Sequence, residues 1–138
     1  MKFMIMTNAS QADYDEMSGK PVAEPVWTMD DFAAMGAFMQ QFNRELADSG
    51  ELVETRAMSA PVHTRRVHQV DGVSVVTDGP YAETQEVLAG YWIVECESFD
   101  RATEIAGRFS KCPAPPSVAA TAYADVRPLV ESSADLGI

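Results

Sequence analysis

The stretch RRVHQVDGVSVVTD, residues 65–78, decides how the middle of the chain folds. Asp71 and Gly72 separate two runs rich in β-branched residues, and an Asp-Gly pair in that position is a strong signal for a type I′ hairpin. With these two as the turn residues, counting down the ladder places Arg65 opposite Asp78. The sequence therefore predicts a β-hairpin with strands at 65–70 and 73–77.

The residues before the hairpin predict a strand, a long connection, a helix and a second strand. Residues 2–7 are apolar and read as a buried strand, whereas residues 8–28 are polar and are interpreted as an irregular connection. Thr28 is a suitable N-cap, and apolar residues recur at spacings of three and four until Gly50. Residues 51–58 predict the second strand, which Pro61 interrupts.

The residues after the hairpin predict a further strand, a helix and a last strand. Residues 88–97 are rich in aromatic and β-branched side chains, and Ser98 is positioned to cap a helix with a buried stripe. That stripe is Phe99, Ala102, Ile105 and Phe109, and Cys112–Pro116 ends the helix. Residues 120–129 predict the last strand, and the tail that follows is expected to fray.

This order of elements predicts one α+β domain over residues 1–130, with a tail at 131–138. Two helices on one face of a mostly antiparallel sheet form two layers. The second face still carries apolar side chains, so a partner is expected to cover it. Packing of two sheets in a homodimer is the simplest arrangement that does so.

Composition and charge exclude several classes of protein. The 138 residues are 46% hydrophobic and 22% charged, as in an ordinary globular protein, and the net charge is −11. Such a surface repels phosphate, so we expect neither nucleic-acid binding nor attachment to an anionic membrane. Cys96 and Cys112 form no metal-binding pattern, and the sequence shows neither a signal peptide nor a bilayer span. We therefore expect a cytoplasmic protein with free thiols and no metal or cofactor.

Residues 76–84, VTDGPYAET, resemble the VTDGPFAET motif of the DGPF branch of the YCII-related family, with Tyr81 in place of the usual Phe. Residues 88–94, LAGYWIV, are similar to the strand that follows this motif in the family. The two ends of the domain, at residues 2–6 and 125–129, fit as well. The resemblance thus extends over nearly the whole chain.

The resemblance implies a ferredoxin-like fold, with antiparallel strands and two helices on one face, that dimerises as a dimeric α/β barrel. Relatives in the wider group are associated with a His–Asp pair in a cleft and with lyase or isomerase chemistry on small organic acids. Some members of the DGPF branch are associated with alternative sigma factors. Residues 8–28 of this chain contain no His, which departs from an early His–Asp pair.

The predicted site lies where the hairpin meets the DGPY turn. If the strand before Arg65 extends to His63, alternation places His63 beside Arg65 and near Asp78. In this hypothesis Asp78 and His63 are catalytic, because an imidazole oriented by a carboxylate transfers protons near neutral pH. Arg65 would bind a substrate carboxylate through two hydrogen bonds. The other candidate substrate-binding residues are Gly79, Pro80, Tyr81, Glu83 and Tyr91.

A structural interpretation of the same residues stands beside the catalytic one. Asp-Gly-Pro is typical of turns, and an Arg opposite an Asp on a hairpin is an ordinary ion pair. Glu83 is then a cap, Tyr91 a core or interface residue, and His63 an exposed side chain.

Three interpretations follow, and the residues alone do not decide between them. One is a cofactor-free lyase or isomerase that acts on a small organic acid. The second is a non-catalytic dimer that binds a small ligand or a regulatory protein such as a sigma factor. The third is an evolutionary relic of an enzyme, a dimer without a site.

Overall fold

A computed structural model describes residues 1–137 of the chain as an antiparallel sheet with helices and a separate two-stranded hairpin. The main sheet has the strand order β2-β5-β1-β6, and β3 pairs only with β4. The strands are β1 (Lys2–Ala9), β2 (Leu52–Ala57), β3 (Arg65–Val70), β4 (Val73–Asp78), β5 (Val87–Glu95) and β6 (Asp125–Pro128). The helices are α1 (Gln11–Met17), α2 (Met29–Asp48), α3 (Phe99–Phe109) and α4 (Pro116–Ala119), with 3-10 turns at Pro61–His63 and Ser133–Leu136.

The main sheet and the two longer helices follow a ferredoxin-like order. Along the chain these elements run β1-α2-β2-β5-α3-β6, and β1 lies between β5 and β6. The predicted α+β class with an antiparallel sheet is therefore confirmed. The hairpin β3-β4 is inserted between β2 and β5, which are neighbours in the sheet.

Local side-chain chemistry begins both long helices where the sequence predicts. The Thr28 hydroxyl accepts a hydrogen bond from the Asp31 backbone N–H at 3.1 Å, and the Asp31 carboxylate accepts one from the Thr28 N–H at 2.8 Å. This reciprocal capping box satisfies two backbone donors that the helix itself leaves unpaired. Ser98 caps α3 with a single bond, its hydroxyl accepting from the Arg101 N–H at 3.0 Å.

The core lies between one face of the sheet and the helices α2 and α3. Phe3 and Ile5 of β1 are fully buried there, together with Leu46 of α2 and Ile105 of α3. Strand residues that alternate with this set, such as Met4, Met6 and Ile93, are half-buried and lie outside the core cluster.
Phe99, which the sequence analysis placed in the buried stripe of α3, is 44% exposed, although its ring still lies 5.2 Å from that of Phe3.

The predicted irregular connection at residues 8–28 is wrong in part, because it contains the helix α1. Ser10 and Asp13 form a second capping box, with N–H to side-chain distances of 2.9 and 3.2 Å. One carboxylate oxygen of Glu16 accepts hydrogen bonds from the backbone N–H groups of Val26 and Trp27. These contacts attach the far end of the connection to α1.

The C-terminal part also differs from the prediction. The last strand covers only Asp125–Pro128. Pro115 and Pro116 start the short helix α4, and the N–H groups of Ala120, Thr121 and Ala122 still donate back to this helix instead of to the sheet. The tail forms a 3-10 turn at Ser133–Leu136, and the Asp135 carboxylate accepts hydrogen bonds from the N–H groups of Glu131 and Ser132 at 3.0 and 3.2 Å. Residue 138 of the predicted tail lies outside the described residues.

Candidate functional site

The hairpin has the predicted register, and it brings Arg65 and Asp78 together. Asp71 and Gly72 both adopt positive φ, 49° and 78°, as a type I′ turn requires. Arg65 lies opposite Asp78, and its Nε donates a hydrogen bond to Asp78 Oδ1 at 3.0 Å. Both side chains are about three-quarters exposed, at 76% and 75%, so the ion pair stabilises the fold by at most about 1 kcal/mol.

The placement of His63 beside Arg65 by strand alternation is wrong. Pro61 begins a 3-10 turn that includes His63, and Thr64 separates this turn from β3. Pro at the first position favours such a turn, because its φ is fixed and it has no N–H to donate. Within residues 1–137, the His63 side chain makes no hydrogen bond or ion pair with Asp78. The single chain therefore holds no His–Asp pair at this point.

The loop from Gly79 to Glu83 is attached to its surroundings by backbone hydrogen bonds. The Gly79 N–H donates to the Thr64 carbonyl at 2.8 Å, and the Ala12 N–H donates to the Glu83 carbonyl at 3.2 Å. The latter bond satisfies a donor in the first turn of α1, so the main chain of Glu83 helps to cap that helix while its side chain is exposed. Pro80 and Tyr81 are half-buried. The DGPY turn is thus a fixed part of the fold.

Gly79 is a position where glycine is required by conformation. Its φ is +55°, and a Cβ added there would lie 3.4 Å from the Val62 carbonyl oxygen. We expect Gly79→Ala to lower the free energy of unfolding by about 1–2 kcal/mol, the cost of a left-handed conformation for an L-residue. Chemical denaturation of the two proteins measures this difference.

Gly36→Ala is the matched control, because Gly36 lies inside α2 with ordinary φ and with nothing within 4 Å of an added Cβ. It should stabilise the chain by about 0.5–1 kcal/mol, since alanine is the better helix former. A Gly79→Ala protein as stable as the wild type would show that the turn relaxes without cost.

Arg66 is a site residue that the sequence analysis did not single out. It lies on the opposite face of the hairpin from Arg65, and its guanidinium carbon is 5.4 Å from the centre of the Tyr81 ring. That distance is within the range of a cation–π contact. The adjacent Arg65 and Arg66 could have indicated this contact, because neighbouring residues of a strand point to opposite faces and one arginine therefore lies on each face of the hairpin.

Tyr91 belongs to a second polar group, which lies on the main sheet. Its hydroxyl donates to Glu54 Oε2 at 3.2 Å, and Arg56 Nη2 lies 3.5 Å from the other oxygen of Glu54. Burial, and then the nearby Glu54 carboxylate, raise the pKa of the Tyr91 hydroxyl above its ordinary value. The sequence analysis named neither Glu54 nor Arg56, although their spacing of two in β2 places them on one face.

Tyr14 joins α1 to the end of β2. Its hydroxyl donates to the Met58 carbonyl at 2.8 Å, and burial raises its pKa. The Val62 N–H also donates to Gln11 Oε1 at 2.8 Å, so α1 contacts the 3-10 turn as well. The first helix therefore contacts both the end of β2 and the 3-10 turn that leads into the hairpin.

Two cavities on the described part of the chain lie away from this region. One of about 340 Å³ is formed by the start of β1 and residues 128–135, and one of about 200 Å³ lies between α2 and α3. Neither is lined by a residue of the predicted site. Among the described residues, no helix combines the length and apolar character needed to cross a bilayer.

Comparison with known proteins gives a family but no activity. The model of the YCII-related domain matches residues 1–129. An uncharacterized protein of Rhizobium meliloti (strain 1021) is 28% identical over 103 residues, which cover 75% of this chain and 79% of that protein. The family match spans nearly the whole chain, including the hairpin and the DGPY turn, and this chain therefore belongs to the YCII-related family.

Proposed function

We propose that this chain is a homodimeric protein that binds a small organic acid at the base of the β3-β4 hairpin. The observation that carries the proposal is a local charge pattern. Residues 55–70 contain three arginines, both histidines of the chain and no Asp or Glu, although the whole chain has a net charge of −11. Arg56 and Arg65 pair with carboxylates outside the stretch, Glu54 and Asp78, so the attraction for a small anion comes from Arg66 and from the N–H groups of Arg65 that Asp78 leaves unused. The acidic remainder of the surface repels such an anion.

Arg65 supplies the group that would bind the carboxylate. Asp78 accepts a hydrogen bond only from Nε of Arg65. Within residues 1–137, the two terminal nitrogens of Arg65 have no hydrogen-bond partner. Paired N–H donors of a guanidinium match the two oxygens of a carboxylate. Asp78 then serves to orient the guanidinium, and the Tyr81 ring with Arg66 lies on the other face of the hairpin.

The geometry supports binding more strongly than lyase or isomerase chemistry. Proton transfer needs an acid or base held within hydrogen-bond reach of its partner in a site that excludes water. Here Asp78 is three-quarters exposed and His63 is an exposed side chain that lies outside the strand. Recognition of a carboxylate by an oriented guanidinium makes no such demand on water exclusion.

A second copy of the chain completes the proposal. The apolar side chains of Met4, Met6 and Ile93 lie outside the core and are only half-buried. Packing two such faces together would remove this apolar surface from water. It would also give the exposed hairpin base a second wall, as small-molecule sites usually require. No membrane, nucleic acid or cofactor enters this proposal.

Titration with matched acids and amides tests the binding site. We expect succinate, but not succinamide, to shift the backbone NMR signals of Arg65, Gly79 and Tyr81. The Arg65→Ala variant should bind succinate at least about tenfold more weakly, which corresponds to loss of about 1.4 kcal/mol from one charged contact. The fold should be unchanged, because the Arg65–Asp78 pair is exposed.

Arg44→Ala is the matched control, since Arg44 is an exposed arginine on α2 whose Nη1 contacts only Gln41. It removes the same charge at a distance from the hairpin and should leave the succinate titration unchanged. Equal weakening by both variants would attribute the effect to net charge and contradict the proposed site. So would signals that succinate does not shift at all.

A further inference from the structure

The hairpin β3-β4 is exposed to an unusual degree for a pair of strands. All twelve strand residues are exposed, and the two strands pair only with each other. Val73 and Val76 of β4 are 64% and 57% exposed, and Val67 of β3 is 60% exposed. An isolated two-stranded hairpin is marginally stable in water at best, so this one is expected to gain stability from a further contact.

The two outer edges of the hairpin differ in how they resist pairing with another strand. The β3 edge carries Arg65, Arg66 and His68, and charged side chains at an edge discourage strand addition. The β4 edge reads VSVVT at residues 73–77, which contain no charge, proline or bulge. An uncharged edge without a bulge or proline is a template for another strand. Among the described residues, none covers it.

We propose that β4 pairs with β4 of a second copy, so that two hairpins form one four-stranded antiparallel ribbon. Val70 and Val73 flank the two-residue turn and exchange hydrogen bonds, so the backbone groups of Ser74 and Val76 face the outer edge. A two-fold axis at Val75 then pairs Ser74 of one copy with Val76 of the other. Each such pair exchanges two hydrogen bonds, which gives four across the axis.

A second copy is the occupant that the charges favour. The chain carries eleven more acidic than basic residues, so most surfaces of two copies repel each other. Residues 73–77 carry no charge, so antiparallel pairing about Val75 places no like charges directly opposite each other. The nearest acidic residues of the two copies, Asp78 of one and Asp71 of the other, meet only at the ends of the ribbon. An antiparallel contact of a strand with itself is also self-complementary, as a two-fold interface must be.

The β4–β4 pairing rests on the homodimer of the proposed function. It adds a second contact between the two copies, separate from the packing of their sheet faces. The two arginines of each hairpin remain on the β3 strands, at the outer edges of the ribbon. The ribbon itself therefore covers neither acid-binding site, and the second wall of each site comes from the packing of the sheet faces.

Opposite charges at the two-fold axis provide a selective test. In Val75→Lys the pairing places two ammonium groups opposite each other, and in Val75→Glu two carboxylates. Either variant should raise the dimer dissociation constant at least about fivefold, since like charges directly opposite in a sheet are destabilising. An equimolar mixture of the two variants should restore the wild-type dissociation constant, as measured by analytical ultracentrifugation. As a control, Val67→Lys and Val67→Glu on β3 should leave the dissociation constant unchanged, both alone and mixed.

Restoration in the mixture also shows that both variants are folded. In the wild-type dimer, the Ser74 and Val76 amides should exchange with deuterium at least about tenfold more slowly than the Val67 amide, which faces the open edge. A wild-type dimer that Val75→Lys leaves unchanged, or in which these amides exchange equally fast, overturns the edge pairing and leaves the sheet-face dimer standing. A chain that is monomeric at millimolar concentration overturns both.

Discussion

Phe3→Ala should lower the free energy of unfolding by about 3–5 kcal/mol, because it removes a large side chain from the centre of the core. Phe3 is fully buried on β1, which is the strand between β5 and β6. Its backbone lies opposite Val94 on one side and Pro128 on the other, and its ring lies 5.2 Å from that of Phe99. The neighbouring strands hold this position in place, so the cavity left behind cannot collapse fully.

Phe99→Ala is the matched control, since it deletes the same chemical group from the other side of the same ring contact. Phe99 is 44% exposed at the start of α3, so its loss should cost only about 1–2 kcal/mol. Urea denaturation followed by far-UV circular dichroism measures both variants. Equal losses would show that the ring pair, rather than burial on the sheet, determines the contribution of Phe3.

Features fixed by a few adjacent residues could be predicted from the sequence. The hairpin register follows from Asp71 and Gly72, whose positive φ values allow one compact turn and hence one pairing of the strands. Thr28 and Ser98 begin their helices because each side chain accepts a hydrogen bond from the backbone N–H three residues later. The turn and the two helix starts depend on neighbouring residues alone, and tertiary contacts do not change them.

Features that depend on distant contacts could not be predicted in the same way. α1 has only seven residues and none of them is buried, so it carries no apolar stripe to recognise. Its support comes from Tyr14 bonding to the Met58 carbonyl and from Ala12 bonding to that of Glu83. The shortened last strand has a similar cause: of the predicted residues 120–129, only Asp125–Pro128 pair in register with β1, while residues 120–122 stay bonded to α4.

In the candidate site, too, local features could be predicted and features that depend on distant contacts could not. The Arg65–Asp78 pair could be predicted because it lies inside the hairpin, where counting from the turn is sufficient. The position of His63 could not, because it depends on how the chain turns at Pro61 before the strand begins. The bond of Tyr91 to Glu54 joins β5 to β2, and those strands are neighbours only in the folded sheet.

Arg101→Ala should be the next most damaging single change, with a loss of about 2–3 kcal/mol, the range for hydrogen bonds between charged groups. Arg101 of α3 binds Glu51 with two parallel hydrogen bonds, Nε to Oε2 and Nη2 to Oε1, both 2.8 Å long. The two side chains are only 29% and 15% exposed. Without the guanidinium, the Glu51 carboxylate keeps only the Ser49 hydroxyl as a side-chain donor.

Glu104→Ala is the control for this pair, because Glu104 contacts the same arginine from a position that is 66% exposed. Its removal should cost less than about 0.5 kcal/mol, as is usual for a surface ion pair on a helix. Urea denaturation at neutral pH compares the two variants with the wild type. A loss in Glu104→Ala as large as in Arg101→Ala would contradict the importance of the partly buried Glu51 contact.

The dependence on pH separates the charge of Arg101 from its packing. Hydrogen bonds from Arg101 hold the pKa of Glu51 below its ordinary value of 4.5 in the folded chain. The stability that this contact adds is complete at pH values above the pKa of Glu51 in the unfolded chain. It is lost as the pH falls through the lower pKa of Glu51 in the folded chain, because the unfolded chain takes up the proton first. The gap in unfolding free energy between wild type and Arg101→Ala should therefore narrow as the pH falls from about 6 to about 3. A gap that stays constant over this range would mean that the hydrocarbon stem of Arg101, and not its charge, stabilises this corner of the fold.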